Sequence, residues 1–261
     1  DLIHTTLDGV DLSGKDLTGV IFDHASFADA NLENANLNVV SFVDVDLTKI
    51  KNKSLAGTDM TGASFAHSDL SGVDMSDTIL FATNFWNANL SSVDFTGVSN
   101  GFMNELILIE ANLSNSNFEG VDLSPKKVYF YTFKNKAHLQ NLSHNLIVKD
   151  LFGERANILL KSMEVSGNDL AVSFIFYNNF SNANLENANL KDTKLWNANF
   201  YNANLTNADL SGADLRMALL FSVDLSNANL SGANLQGALL DNAILTGANL
   251  KCINHTICES D

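Results

Sequence analysis

The sequence predicts an all-β solenoid, a chain that coils around an apolar axis with four sides to each turn. Two observations carry this reading: a five-residue phrase repeated down most of the chain, and bulky residues that recur at every fourth repeat. The phrase is plainest at ANLENANLKD, residues 183–192, where Ala183 and Leu185 are followed by Ala188 and Leu190. In an α-helix five residues advance the side chain by roughly 500°, so successive repeats would face about 140° apart and no face would stay apolar. A flat strand has period two and would throw Leu185 and Leu190 onto opposite faces. A chain extended for about three residues that then turns a corner keeps both apolar residues of every repeat inside. The number of corners follows from the bulky residues. Phe22 and Phe42, Phe65 and Phe85, and Phe180 and Phe200 are repeat centres lying four repeats apart, which gives four sides per coil.

The centres run in phases. Leu7, Leu12, Leu17, Phe22, Phe27, Leu32, Leu37, Phe42 and Leu47 form the first run, and Leu55 to Phe95 the second, in steps of five. From Leu47 to Leu55, and from Phe95 to Met103, the step is eight, which predicts a corner widened by three residues. Met103, Leu108, Leu113, Phe118 and Leu123 continue, and the register is firm again from Phe180 to Leu250. The expected organisation is therefore β-helix over 1–123, an irregular basic excursion over 124–160, β-helix over 161–250, and a cap or tail over 251–261. Degenerate repeats centred on Leu160, Val165 and Leu170 mark the expected return. Tandem A-[DN]-L-x-x resembles the pentapeptide-repeat family over about four-fifths of the chain. The resemblance implies a right-handed quadrilateral parallel β-helix.

Length and composition agree. At about 20 residues per coil, 261 residues give at most about 13 coils, a rod of about 60 Å at ~4.8 Å per coil. Hydrophobic residues make up 46% of the chain, yet no run approaches the ~18 apolar residues of a membrane span, and no signal-peptide pattern opens it. A soluble protein of the bacterial cytoplasm, or a secreted one, is expected. The single proline, Pro125, suits continuous backbone ladders that a missing N–H would break.

The ends differ. The repeat is under way at Leu7 with nothing cap-like before it, which predicts upstream sequence or a partner at that end, because an open coil exposes core and sheet edge. The tail KCINHTICESD abandons the repeat, and Ile253 and Ile257 are positioned to fold over the last coil. Cys252 and Cys258 flank His255 there, and three readings stand. A metal site would have only three ligands. A disulfide would fasten the cap and imply an oxidising compartment. The third is two free thiols.

A catalytic site is not expected. The six histidines are scattered at 4, 24, 67, 138, 144 and 255, and there is no Gly-rich phosphate loop, strong metal-ligand spacing or nucleophile motif. The reading is non-catalytic, with no cofactor and no metal. Asp16, Asp46, Asp69, Asp94, Asp209, Asp214 and Asp224 stand before their centres, where alternation turns them outward as solvated corners. A formal net charge of −15 repels nucleic acid and anionic membranes and favours basic partners. For quinolone-resistance members the family resemblance implies an acidic DNA mimic that binds DNA gyrase or topoisomerase IV. Those members dimerise through an apolar C-terminal helix, whereas this chain ends in mostly polar residues.

Function is sought where the repeat rule breaks, because such residues need another reason. The excursion gathers Lys126, Lys127, Lys134, Lys136, Lys149, Arg155 and Lys161 around Tyr129 and Tyr131, and its apolar spacing from His144 to Met163 is near-helical. On the rod, Leu219 and Leu239 stand where Asn or Asp is expected, and Tyr201 and Phe221 follow their centres on the same wall. Stacked in successive coils, these four predict an exposed apolar strip. Trp196 and Arg216, also one coil apart, have the spacing for a cation–π contact. The leading reading is a rigid acidic module that presents this strip and the basic excursion to a partner protein. Self-association through the strip or the N-terminal end is a further expectation.

Overall fold

In a computed structural model the described residues are 1–98, 103, 106–123, 128–133, 170–175 and 178–258. They fall into two compact units, Asp1–Pro125 with Tyr177–Asp261, and Lys126–Phe176.

The first unit is the solenoid. Its bridges are parallel and join each repeat to the one four repeats on, as in Asn184↔Asn204↔Asp224↔Ile244. The backbone bonding explains the period of five. In each repeat the centre, the residue before it and the residue two after it donate to neighbouring coils. Leu185 N–H donates to Asn204 O at 2.7 Å, Asn204 N–H to Ala183 O at 3.0 Å, and Asn187 N–H to Thr206 O at 3.0 Å. The corner is closed by Ala188 N–H to Leu185 O at 3.0 Å. That turn forces the second residue after each centre into the left-handed region: Asn182, Asn187, Asn202 and Asn207 have φ between 55° and 58°. Asparagine and glycine tolerate this conformation and other residues resist it, which is why they recur there.

Val39 is the exception most at odds with its site, a β-branched residue at φ 57° that is 64% exposed. Val39→Gly is expected to stabilise the protein by about 1 kcal/mol, since left-handed backbone costs L residues roughly 1–2 kcal/mol and little packing is lost. A chemical-denaturation midpoint that fails to rise would refute this.

The widened corners lie where the eight-residue steps place them. The first holds a 3₁₀ turn at Lys51–Lys53, and the pairing lengthens there by the three inserted positions, from Ile21↔Ser41 to Ser41↔Ser64 and Asp46↔Asp69. The second lengthens it again, as in Asn84↔Ile107. At a third place a coil pairs with one far along the chain, as in Asn112↔Asn184, because the second unit is spliced into that coil.

Within the second unit, β1 (Val128–Phe133) pairs antiparallel with β2 (Leu170–Ile175), Val128 opposite Ile175 and Phe133 opposite Leu170. Leu170 is thus a residue of this strand pair and not a returning repeat centre, and coil bridges are present again from Asn179. The expected helix between His144 and Met163, and Leu160 and Val165, lie outside the described residues.

The core is the stack of centres. Phe22, Phe42, Phe65 and Phe85 form one column with ring centroids 5.2, 5.2 and 5.5 Å apart, so the widened corner does not interrupt it. Phe180 stacks on Phe200 at 4.8 Å. At the C-terminal end Cys252 and Cys258 are joined by a disulfide, and Ile257 and Cys258 pack against the core. Ile253 does otherwise: it extends the ladder opposite Asn234 and leaves 48% of its surface exposed.

Candidate functional site

The wall that carries Phe22, Phe42, Phe65, Phe85, Phe180, Phe200 and Leu220 inside has an outer surface unlike the other three. Its ladder runs Ile21↔Ser41↔Ser64↔Asn84↔Ile107↔Asn179↔Asn199↔Leu219↔Leu239. Asp1, Asp23 and Asp241 bear charge on its outward positions, and Asp44 and Glu110 stand at its corner, but from Asn179 to Leu239 it carries none. On the other walls the same slot holds Asp46, Asp69 and Asp224 on the next, Asp11, Asp74, Asp94 and Asp209 on the third, and Asp16, Asp59, Asp122 and Asp214 on the fourth. The negative charge is therefore spread over all four walls, and is absent from this one over the coils that carry Leu219.

The acids before the centres are structural as well as solvated. Asp16, Asp46, Asp69, Asp94, Asp209, Asp214 and Asp224 each accept the backbone N–H two residues on, fixing the corner. Alternation turned them outward correctly but gave no hint of this bond. Asparagine in the slot adds a second, since its amide reaches the next coil: Asn199 donates to Asn179 at 3.0 Å and Asn204 to Asn184 at 3.0 Å. The Thr18 hydroxyl and N–H hold the Asp16 carboxyl below the usual carboxylate range.

Leu219 and Leu239 stand in this slot without an acceptor to offer. Leu219 is half-buried and Leu239 is 44% exposed; Tyr201, in the neighbouring outward slot, is 45% exposed, and Phe221 is half-buried. The ladder sets Tyr201 and Phe221 in consecutive coils, with Asn202 N–H donating to Phe221 O at 3.0 Å. Met217, 53% exposed at the adjoining corner, lengthens the strip and had gone unnoticed in the sequence, its signal being a non-Asn, non-Gly residue in a left-handed slot.

The other candidates divide. Arg216 gives Nε and Nη2 to Asp214 at 2.7 and 2.6 Å, so its guanidinium fork is engaged by a carboxylate of its own wall while Trp196 is half-buried in the coil before. That ion pair holds the Asp214 carboxyl low and raises the Arg216 guanidinium. Tyr129 and Tyr131 belong to β1, opposite Phe174 and Val172. Lys126, Lys127, Lys134 and Lys136 lie outside the described residues.

A further polar group was missed altogether. Asn178 is buried in the slot normally held by alanine. Its Oδ1 accepts Leu106 N–H at 2.8 Å, and its Nδ2 donates to Met103 O at 3.1 Å and Leu123 O at 3.0 Å. Elsewhere such a carbonyl and an N–H three residues on close the corner by bonding to each other, so the carboxamide is inserted into an opened corner.

A parallel four-sided ladder with this five-residue bonding defines a pentapeptide-repeat β-helix. The family model for pentapeptide repeats matches eight copies, over residues 1–38, 54–97, 99–124, 179–216 and 218–254, and the chain belongs to that family. Among solved structures it is similar to HetL, a pentapeptide repeat protein involved in heterocyst differentiation regulation from the cyanobacterium Nostoc sp. strain PCC 7120. That match has 24% identity and TM-score 0.36 and covers 95% of this chain and 90% of that one. It is also similar to full-length QnrB1, a plasmid-mediated fluoroquinolone resistance protein, with 16% identity and TM-score 0.39 over 95% and 94% of the two chains. A pentapeptide repeat protein of the Arabidopsis thaliana thylakoid lumen is 42% identical over 27% of this chain and 49% of its own, with TM-score 0.26. No curated protein matches the chain. Among the described residues no helix is long and apolar enough to cross a membrane.

Proposed function

We propose that this protein is a non-catalytic interaction module, a solenoid that binds a partner protein through the charge-free stretch of wall around Leu219, Leu239, Tyr201 and Phe221. The observation that carries the reading is the presence of leucine in a slot whose usual occupants fix the corner. Leu219 and Leu239 forgo that bond and the inter-coil amide bond while leaving apolar surface in water, a local cost that packing inside the solenoid does not offset. Trp196 and Arg216 are further candidate contacts on the solenoid, and the basic aromatic segment with Tyr129 and Tyr131 is a separate candidate on the second unit. The disulfide suits an oxidising compartment. The alternative, a DNA mimic that binds DNA gyrase or topoisomerase IV, calls for carboxylates along one continuous surface, and their spread over all four walls favours the strip.

The double substitution Leu219→Asn, Leu239→Asn separates binding from folding, because asparagine continues the ladder of Asn179 and Asn199. It is expected to melt at the same temperature as the parent or higher, and to lose the partner that the parent retains in a crosslinking and mass-spectrometry comparison. Retention of every crosslinked partner by the stable variant would refute the strip. Binding of both forms to purified gyrase with the same salt dependence would favour the acidic walls.

A further inference from the structure

Three of the six histidines, far apart in the sequence, share one corner of the solenoid. Each is the second residue after a centre of the wall that carries Phe22 and Phe42, so His4, His24, Asp44 and His67 occupy four consecutive coils. Their backbones are held by the ladder: His4 N–H donates to Asp23 O at 3.0 Å, His24 N–H to Val43 O at 2.9 Å, and Asp44 N–H to Ala66 O at 3.1 Å. All four have positive φ, from 56° to 61°. The His4 and His24 rings stack with centroids 4.8 Å apart and planes 14° from parallel, and His24 Nδ1 lies 3.7 Å from Asp44 Oδ2. His67 is engaged differently, its Nδ1 against Asn87 Nδ2 at 2.9 Å and its ring edge-on to Trp86.

We propose that His4, His24 and Asp44 form a binding site for a divalent transition-metal ion of the zinc class. Two imidazole nitrogens and one carboxylate oxygen make a donor set that suits Zn²⁺, Ni²⁺ or Cu²⁺ over the harder Ca²⁺ and Mg²⁺. Ligand atoms about 2.1 Å from one tetrahedral ion lie about 3.4 Å from each other. The His24–Asp44 distance is already close to that value. The stacked rings are somewhat too far apart, and among the described residues no three such groups yet converge on one point. The rearrangement needed is a turn of the His4 ring out of its stack on His24, at an exposed corner, on a backbone held by the ladder. Water would complete the coordination. A chain of net charge −15 also concentrates cations at its surface.

The column supplies its own fold-neutral substitution, since asparagine occupies the same slot at Asn87, Asn182, Asn202 and Asn242. Calorimetric titration of the full chain with Zn²⁺ alone is expected to show a site that His24→Asn or His4→Asn weakens at least about 100-fold. Removing even an outer partner of a metal ligand costs about 10- to 100-fold, and these residues are the ligands. Asp44→Asn should weaken binding less, and His67→Asn should leave it unchanged. Ring-proton NMR should show zinc shifting the His4 and His24 resonances together. The proposal is overturned if zinc does not bind, if His24→Asn binds zinc as the parent does while melting at the same temperature, or if His67→Asn causes the same loss.

Discussion

Replacing Phe42 by alanine is expected to cost about 3–5 kcal/mol, the range for truncating a fully buried aromatic residue. Phe42 is 0% exposed and sits inside the column, stacked on Phe22 at 5.2 Å and on Phe65 at 5.2 Å, with Phe27 tilted against it at 5.4 Å. Both its faces and one edge lose a partner at once. Relaxation into the cavity is limited because the coils above and below are tied by ladder bonds on every wall. Since a solenoid is stabilised mainly by contacts between neighbouring coils, the damage should stay local. Hydrogen exchange is the appropriate measurement. Protection is expected to fall at the ladder amides from Phe22 to Phe65 and to persist from Leu185 to Leu235. A uniform loss across both stretches would show that the solenoid unfolds as one cooperative body.

The same regularity explains why so much of the fold was legible in the sequence. The apolar pair of each repeat fixes which residues enter, the Phe spacing fixes four sides, and the eight-residue steps locate the widened corners near Lys51–Lys53 and before Met103. Leu219 and Leu239 were legible for the converse reason: they break a slot rule that Asn179 and Asn199 obey in the two preceding coils. What stayed hidden depends on hydrogen-bond direction, to which polarity patterns are blind. Asp69 and Asp209 look like solvated acids in the sequence, and only the turn geometry shows each accepting an N–H. The sequence puts the coil's return at 161 because Leu170 mimics a repeat centre in spacing, although its strand pairs antiparallel with β1. His67 joins His4 and His24 only after the three-residue widening is counted, so six scattered histidines hid a column of three.

Asn178→Ala puts the usual alanine into the alanine slot and is nonetheless expected to destabilise the protein by about 2–5 kcal/mol. The substitution restores the repeat consensus but removes both ends of a carboxamide that serves three buried backbone groups. Leu106 N–H loses its acceptor, and Met103 O and Leu123 O lose their donor. Each buried group left without a partner costs about 1–3 kcal/mol, reduced where the chain can relax. Met103 and Leu106 could recover part of this by closing the ordinary corner bond on each other, three residues apart as Leu113 and Ser116 are. For Leu123 the residue three on, Lys126, belongs to the second unit and not to the coil. Ser68 makes the same kind of bridge in another coil, its hydroxyl lying between Phe42 O and Val45 N–H, which supports reading the insertion as a device for opened corners. Asn178→Asp provides the contrast: it keeps the acceptor for Leu106 but turns an ionised oxygen toward two carbonyls. It should therefore be at least as damaging as alanine at neutral pH and recover as the pH falls and the carboxyl protonates. Equal thermal stability of Asn178→Ala and the parent would show that the corner closes without the carboxamide.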